Sequence, residues 1–326
     1  MSLLFRAASI VRDCVVSVGC VLLSFFIRRN QFYIAFGSWC GELYNDNSKY
    51  LAEYIKDNHP KYKIYWVGQR SIKSTIPSEF EFVEINKISS LCKLLRCKTF
   101  FCTQMHRPDI SRYNVYRGAT LCLLDHGNTL KKWAMDAADY QGELEYKNFS
   151  FYKKLYTTIM GENYPYRFLI VSSHKTAKAY RTALLYRMDD NSEIIETGLP
   201  RNDALISRTD VERSALKYKY SKLLGFDSGR KVVLYLPTYR RKTQQIESFV
   251  NRDALEMLKL NELLIGAKTV LLEKNHFAAD KFSINKVKSE SSSIIKISKP
   301  VDVQEVLEIA DVLISDYSGC ILDYLV

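Results

Sequence analysis

Short apolar runs that are rich in β-branched and aromatic residues recur along the whole chain, separated by stretches with helical character. Each run has the length of a strand and is apolar on both sides, which is typical of parallel strands covered by helices. Alternating strands and helices predict a doubly wound α/β architecture. The predicted strands are FYIAF at 32, KIYWVG at 63, KTFFCT at 98, ATLCLLD at 119, RFLIVSS at 167, EIIETG at 193, KVVLYLP at 231, KTVLLEK at 268, SIIKIS at 293 and DVLISD at 311.

At 326 residues the chain exceeds the usual size of one domain, so we expect two Rossmann-like domains. A polar and charged stretch between Ser207 and Lys231 separates two predicted strands and marks the boundary. We therefore expect an N-terminal helix over residues 1–30, a first domain over 31–208 and a second over 209–326. Helices are predicted at residues 46–58, 144–159, 174–186, 211–223, 250–264 and 301–310.

The chain carries a formal net charge of +11, from 47 Lys and Arg against 36 Asp and Glu. This excess favours polyanionic partners, a class that includes nucleic acid, anionic lipid and phosphorylated substrates. Nucleic acid is disfavoured, because the sequence has neither a basic helix nor an aromatic-interleaved patch of a known module. Eight cysteines without a CxxC pair or zinc-ligand spacing predict free thiols in a reducing cytosol, and no metal site is required.

An uncharged run of 14 residues, Cys14 to Ile27, is flanked by Arg6, Arg12 and Asp13 before it and by Arg28 and Arg29 after it. As a helix it reaches about 21 Å, which is shorter than the roughly 30 Å of a hydrocarbon core. A signal peptide is disfavoured, because no small-residue cleavage pattern follows the run. We expect a helix lying in the interface of an anionic membrane, and a buried core helix is the alternative.

The strand ATLCLLD leads directly into a turn that contains His126 and Gly127. An imidazole at the carboxyl end of a parallel strand opens toward a ligand crevice and can accept a proton from an attacking hydroxyl. Gly127 would let the backbone approach the substrate closely. The alternative is a structural turn, in which the imidazole bonds a neighbouring backbone group.

Lys274 and His276 are two residues apart in KTVLLEKNHF. If the strand continues through both, their side chains point to one face and favour a bound phosphate. If the strand ends at Glu273, both groups are simply solvated.

The segment DVLISDYSGCILDYL predicts a strand that ends at Ser315 or Asp316, a turn at Gly319, and a helix that begins near Ser318. Free amides at a helix start favour phosphate, and Ser318 can cap the helix or donate its hydroxyl. Asp316 would instead orient the loop, hold a substrate hydroxyl or pair with a base. Such a strand-turn-helix unit also occurs in many α/β proteins without a ligand.

Two further turns follow predicted strands and each brings a basic residue toward the crevice. The first is TGLPRND at residue 197, with Arg201, and the second is LPTYR at residue 236, with Thr238 and Arg240. Arg240 can make bidentate contacts to phosphate. The alternative for both is ordinary turn chemistry with a surface arginine.

In this order, the segments resemble the CDP-glycerol glycerophosphotransferase family of teichoic-acid and capsule synthesis, whose members look like GT-B glycosyltransferases. The resemblance runs from about residue 31 to the C-terminus, and it implies two Rossmann-like domains that face a crevice. It rests on GSWCGELYNDNSKYLAEYI at 37, DHGNTLKK at 125, TGLPRNDAL at 197, VLYLPTYR at 233, LLEKNHF at 271 and DVLISDYSGCILDY at 311.

The resemblance implies transfer of glycerol phosphate or a related polyol phosphate, from CDP-glycerol or CDP-ribitol, to a hydroxyl of a lipid-linked glycan or polyol-phosphate acceptor. CMP would leave, and the enzyme would work as a peripheral protein on the anionic cytoplasmic face of the cell membrane. His126 matches one family histidine and is expected to be the general base, while His276 matches the other and would stabilise the donor phosphates. No cofactor is required, although Mg²⁺ could join the donor phosphates through Asp316. The implied acceptor-side residues are Gly127, Asn128, Lys131 and Arg201, and the implied donor-phosphate residues are Thr238, Arg240, Lys274, Ser315, Asp316, Ser318 and Gly319.

The sequence departs from the family in two places. Asn128 and Thr129 replace the Thr-Pro that follows the family's His-Gly, which loosens the turn and points to a different acceptor or lower activity. The family also continues beyond the segment that here ends at Val326, so we expect an incomplete second domain. The alternatives to the phosphotransferase are a GT-B glycosyltransferase that uses a nucleotide sugar and a non-catalytic, truncated relative.

Overall fold

The computed structural model describes the chain with several internal gaps and divides it into two compact units. The described residues are 3–128, 130, 132–137, 150–237, 254–275, 293–297 and 301–326. The first unit comprises Met1–His126 and Lys132–Arg201, and the second comprises Gly127–Lys131 and Asn202–Val326. The main boundary thus falls between Arg201 and Asn202, whereas the sequence placed it after residue 208.

The first unit is built on a seven-stranded sheet in the order β3-β2-β1-β4-β5-β6-β7, and every described pairing is parallel. The order reverses between β1 and β4, which makes the carboxyl ends of these two strands the switch point where ligands bind in such sheets. The strands are β1 Asn30–Gly37, β2 Lys63–Gly68, β3 Glu81–Glu84, β4 Cys97–Cys102, β5 Thr120–Leu123, β6 Phe168–Val171 and β7 Glu193–Glu196.

Both faces of the first sheet are buried, because successive strand residues enter different cores. In β1, Ala35 packs in one core with Phe100, whereas Phe36 packs in another with Trp66. This alternation at period two follows from strand geometry, and it explains why the strands are apolar on both sides.

The second unit contains a four-stranded sheet in the order β10-β9-β8-β11, again with parallel pairing among the described strands. Its core includes Leu234 and Leu272 from neighbouring strands. The order reverses between β8 and β11, which defines the switch point of this sheet. The strands are β8 Lys231–Leu236, β9 Thr269–Glu273, β10 Ile294–Lys296 and β11 Val312–Ser315.

Several of the described helices begin at residues whose side chains cap the first turn. Thr209 and Glu212 form a reciprocal capping box, and Gly225 ends the same helix in the left-handed conformation with φ 84°. The side chain of Ser173 also caps the helix that follows it. The described α-helices are Leu3–Leu23, Asp46–Asn58, Leu91–Arg96, His106–Asp109, Phe151–Ile159, His174–Ala183, Pro200–Ser207, Asp210–Leu224, Ala254–Gly266, Val303–Glu308 and Cys320–Tyr324. Short 3₁₀ turns lie at Trp39–Gly41, Arg70–Thr75, Ile88–Ser90, Ala134–Asp136 and Leu185–Arg187.

The predicted α/β class and parallel sheets are confirmed, and each of the ten predicted strands is present. The strand β3 was not predicted, because its sequence EFVE has charged residues at both ends and lies at the sheet edge. Such a strand has no continuous apolar run to reveal it.

The N-terminal helix Leu3–Leu23 begins earlier than the uncharged run and ends within it. Ser17 and Cys20 are buried on one side, and the Ser17 hydroxyl accepts a hydrogen bond from the amide of Asn114 at 3.3 Å. Among the described residues, no helix combines the length and the apolarity needed to cross a bilayer.

Gly37 ends β1 at a point where the chain passes very close to another segment. A β-carbon on Gly37 would overlap the carbonyl oxygen of Asp109, whereas one on Gly19, in the N-terminal helix, would meet no atom within 4 Å. The switch point of the first sheet therefore requires glycine at this position.

We expect Gly37→Ala to lower the free energy of unfolding of the first unit by about 1–3 kcal/mol, since the backbone of Asp109 must move. Gly19→Ala is the matched control and should be neutral or stabilising by up to about 1 kcal/mol. Urea unfolding followed by tryptophan fluorescence reports this unit alone, because Trp39, Trp66 and Trp133 all lie in it. Equal stability of the two variants would contradict the close approach.

Candidate active site

His126 follows β5 and lies at the carboxyl edge of the first sheet, as its position in the sequence predicted. Its Nδ1 atom is 2.7 Å from a carboxylate oxygen of Asp125 and 3.2 Å from the carbonyl oxygen of Thr103. Nε2 makes no hydrogen bond to a described residue, and the side chain is 45% exposed. The imidazole is thus anchored through one nitrogen and presents the other.

The pKa of His126 is raised to about 9 by the carboxylates around it. Burial of the ring acts in the opposite direction, but the charge and hydrogen bond of Asp125 and the charge of Asp46 outweigh it. At neutral pH the imidazole is therefore mainly protonated, and its neutral form becomes abundant as the pH rises toward 9.

Asp46 is a buried carboxylate at the start of the helix Asp46–Asn58, directly behind the turn of His126. One of its oxygens accepts a hydrogen bond from the Trp39 indole at 2.8 Å, and the other pairs with the guanidinium of Arg201 at 2.9 Å. The Trp39 ring lies edge-on to His126, with ring centroids 5.6 Å apart. Asp46 and Trp39 were not predicted as site residues, although both lie in the segment at residue 37 that resembles the family.

Arg201 and Asn47 hold the backbone of the same turn. Arg201 donates to the carbonyl oxygen of His126 at 2.7 Å, and its own amide donates to the side chain of Asn47 at 3.1 Å. The Asn47 side-chain amide donates in turn to the carbonyl oxygens of Leu124 and Asp125. Arg201 was predicted as an acceptor-side residue, and its side chain is 10% exposed.

A second buried carboxylate, Asp109, joins the loops after β1 and β4. It accepts hydrogen bonds from the amides of Cys40 at 2.8 Å, Thr103 at 2.9 Å and Gln104 at 2.8 Å. The loops that border the switch point are therefore fixed to one another beside the imidazole.

In the second unit, the turn after β11 was predicted to bind phosphate. The hydroxyl of Ser315 donates to the carbonyl oxygen of Leu236 at 2.6 Å, which joins the ends of β11 and β8 at the switch point. The helix after the turn begins at Cys320 rather than near Ser318, and the Ser318 hydroxyl accepts from the Cys320 amide at 3.4 Å. A phosphate site here would depend on the turn itself, because this helix has only five residues.

Gly319 lies close to a segment that belongs to the same unit, Gly127–Lys131. A β-carbon on Gly319 would overlap the carbonyl oxygen of Asn128. Two residues predicted for the site, Asn128 and Gly319, are thus adjacent, and Gly127 has the positive φ of 130° that suits glycine. Asp316 lies in the same turn and Lys274 is half-buried just after β9, which ends at Glu273.

Several predicted site residues lie outside the described residues, and the structure does not test them. Among the residues that are described, no cluster of three His, Cys, Asp or Glu side chains could hold a metal ion. The predicted site residues outside the described part are Lys131, Thr238, Arg240 and His276.

Residues 21–326 match the family described as CDP-Glycerol:Poly(glycerophosphate) glycerophosphotransferase. The chain belongs to this family of transferases. The resemblance noted from the sequence motifs is thereby confirmed.

Two teichoic acid polymerases are similar to the chain at low sequence identity. The teichoic acid poly(glycerol phosphate) polymerase of Staphylococcus epidermidis is 25% identical over 303 residues, which cover 89% of this chain and 38% of the polymerase. The polymerase of the same name from Bacillus subtilis is 25% identical, with 89% of this chain and 37% of the polymerase covered. The chain therefore spans less than two fifths of the length of these two relatives.

The fold is shared with a solved structure of the wall teichoic acid polymerase TagF, in a variant soaked with CDPG. The TM-score is 0.75 at 22% identity, over 98% of this chain and 74% of that one. This similarity supports the α/β architecture of the family member described here.

The Asp46–Arg201 ion pair is expected to stabilise the first unit strongly. Both side chains are buried, so removing either one leaves the other as an unpaired buried charge. Asp46→Asn or Arg201→Met should each cost about 3–5 kcal/mol, and the double variant less than their sum. Urea unfolding followed by tryptophan fluorescence gives the free energies of unfolding of the native protein, both single variants and the double variant, from which the coupling energy of the pair is obtained.

The exposed pair Lys56–Glu79, at 3.3 Å, is the matched control and should show little or no coupling, because solvent screens it. A coupling energy near zero for Asp46 and Arg201 would show that the pair does not hold the turn.

Proposed function

We propose that this chain transfers glycerol phosphate, or a related polyol phosphate, from a CDP-activated donor to a hydroxyl of a membrane-linked teichoic-acid or capsule-type acceptor. The observation that carries the proposal is the presented Nε2 of His126, held at the carboxyl edge of the first sheet, beside its switch point, in a member of this family. Relatives named for both glycerol phosphate and ribitol phosphate polymers match the chain, so both donors are candidates.

The proposed reaction needs one proton acceptor and strong charge stabilisation. The acceptor hydroxyl oxygen attacks the phosphorus that carries the glycerol, and a new oxygen–phosphorus bond forms. The bond between that phosphorus and the oxygen of CMP breaks, and CMP leaves with the electron pair. The hydroxyl proton passes to Nε2 of His126, which acts as the general base in its neutral form.

The donor phosphates are assigned to the second unit. Lys274 follows β9, and the turn Ser315–Gly319 follows β11, so both lie at carboxyl ends of parallel strands, where ligands bind. His276, Thr238 and Arg240 complete this assignment by sequence position and family resemblance. Positioning and charge neutralisation account for most of the catalysis of phosphoryl transfer.

We further propose that the first unit binds the cytoplasmic face of the membrane peripherally. Val15, Phe25 and Phe26 are 65%, 62% and 86% exposed along and after the N-terminal helix. That helix packs against the helix Phe151–Ile159, whose Phe151 and Tyr152 are 73% and 81% exposed. The apolar surface is bordered by arginines, including Arg12, Arg28 and Arg117, which suits anionic headgroups.

Enzymatic transfer is tested by incubating membranes that contain the protein with CDP-glycerol, CDP-ribitol, UDP-sugars or CMP-sugars. We expect CMP release from a CDP-polyol and a lipid-linked product whose mass increases by polyol phosphate. His126→Ala should lower transfer by about 10²-fold or more with donor binding retained, whereas His276→Ala should also weaken donor binding.

His174→Ala is the control, because this histidine is 90% exposed and, among the described residues, pairs with Glu196. Full turnover by His126→Ala would contradict its assignment as base. Release of nucleotide from sugar donors alone would establish the glycosyltransferase instead, and donor binding without any CMP release would indicate a non-catalytic relative.

Membrane association is tested by sedimentation with vesicles of phosphatidylcholine alone or with one quarter phosphatidylglycerol. We expect binding mainly to the anionic vesicles, and a loss of about tenfold or more for Phe26→Ser, since a buried aromatic side chain contributes roughly 1.5–3 kcal/mol. Leu263→Ser is the control, because Leu263 is 71% exposed on a helix of the other unit. Equal loss in both variants would place the lipid contact elsewhere.

A further inference from the structure

Asp125, which immediately precedes His126, is buried with only 5% of its surface exposed. One carboxylate oxygen lies 2.6 Å from the backbone amide of His126 and 2.7 Å from its Nδ1. The other accepts a hydrogen bond from the hydroxyl of Tyr180, on the helix His174–Ala183. The carboxylate is thus held from one side by a separate element and holds the imidazole on the other.

Among the described residues, Asp125 makes the closest charged contact with the imidazole, whereas the Thr103 carbonyl oxygen accepts its hydrogen bond. The carbonyl oxygen of Thr103 is farther from Nδ1, at 3.2 Å against 2.7 Å. The Asp125 carboxylate is hydrogen-bonded by the His126 amide and the Tyr180 hydroxyl, and these bonds offset its burial and hold it beside the ring. Asp125 also adopts a left-handed φ of 56°, which aspartate tolerates better than most residues.

We propose that Asp125 is a positioning residue for His126, and that the two side chains form a carboxylate–imidazole dyad. The Thr103 carbonyl oxygen accepts a hydrogen bond from Nδ1, which fixes the tautomer in which Nε2 carries the lone pair, and the Asp125 carboxylate lies 2.7 Å from the same nitrogen. When the acceptor O–H bond breaks, its proton bonds to Nε2, and Asp125 stabilises the resulting imidazolium. The proton then returns to water at the exposed edge of the ring. The transfer of the acceptor's proton to His126 rests on the proposed function. The pairing of Asp125 with His126 does not, because it is present in the protein without substrate.

The charged and titratable groups that face His126 come from four elements. Asp125 precedes it, Asp46 lies at the start of a helix, Arg201 donates to its carbonyl oxygen, and Tyr180 reaches it through Asp125. The pKa of His126 is about 9 with both carboxylates present. Removing the charge of Asp125 must lower this pKa, because the imidazolium loses its nearest anion.

The test is Asp125→Asn, which keeps the shape and suits the left-handed φ. The imidazole of His126 is titrated by ¹H–¹⁵N NMR, where the chain has only five histidines and His126→Gln assigns the signal. We expect the native pKa of about 9 to fall toward 6.5 in the variant.

In turnover, the native rate should rise with pH up to about 9. The variant should reach its plateau at lower pH, with kcat reduced by about 10²-fold and the donor KM unchanged.

Asp190→Asn is the matched control, because Asp190 is an exposed carboxylate of the same unit and should leave both profiles unchanged. If Asp125→Asn fails to fold, Asp125→Gly accommodates the same φ, removes the same charge and should show the same fall in pKa. A His126 that still titrates near 9 in the folded variant would overturn the dyad, whatever the substrate. A shifted titration in a protein that turns over no CDP-polyol would support the dyad and reject the proposed function.

Discussion

The first unit depends on the hydrogen bonding of one buried carboxylate, Asp109. Its carboxylate accepts hydrogen bonds from three backbone amides at the switch point of the sheet. They belong to Cys40 after β1 and to Thr103 and Gln104 after β4. Burial raises the pKa of Asp109, and these hydrogen bonds oppose that effect. A buried carboxylate is tolerated only when it is fully bonded, so the two loops cannot separate without exposing it. The same place has no room for a side chain at residue 37, because a β-carbon on Gly37 would overlap the carbonyl oxygen of Asp109.

The sequence predicted the ten strands in this sheet and the next because parallel strands are apolar on both faces, and that pattern is local. The edge strand β3 was not predictable in this way, since residues such as Glu81 and Glu84 face solvent or pair with lysine. The place of His126 was also predictable, because a histidine directly after a strand must lie at the carboxyl edge.

Asp125 precedes His126 in the chain, but the other groups around the imidazole could not be predicted from local pattern, because they come from distant parts of the chain. Asp46 and Arg201 are 155 residues apart in sequence, and Tyr180 and Asp125 are 55 apart. Periodicity reports the face on which a residue lies and gives no information on which buried charge will meet it. The available signal was compositional: Asp46 and Asn47 stand at a helix start within a segment that resembles the family, where a structural cap would have been the ordinary explanation.

Backbone strain supports the same location for the chemistry. Seven non-glycine residues in the described part of the chain have positive φ, and four of them surround the imidazole: Trp39, Cys40, Asp46 and Asp125. Such conformations cost about 1–3 kcal/mol each and persist only where other contacts enforce them. Here the enforcing contacts are visible, since Asp109 holds Cys40, Arg201 holds Asp46 and Tyr180 holds Asp125. The concentration of these residues beside one half-exposed imidazole agrees with the proposed catalytic task of His126.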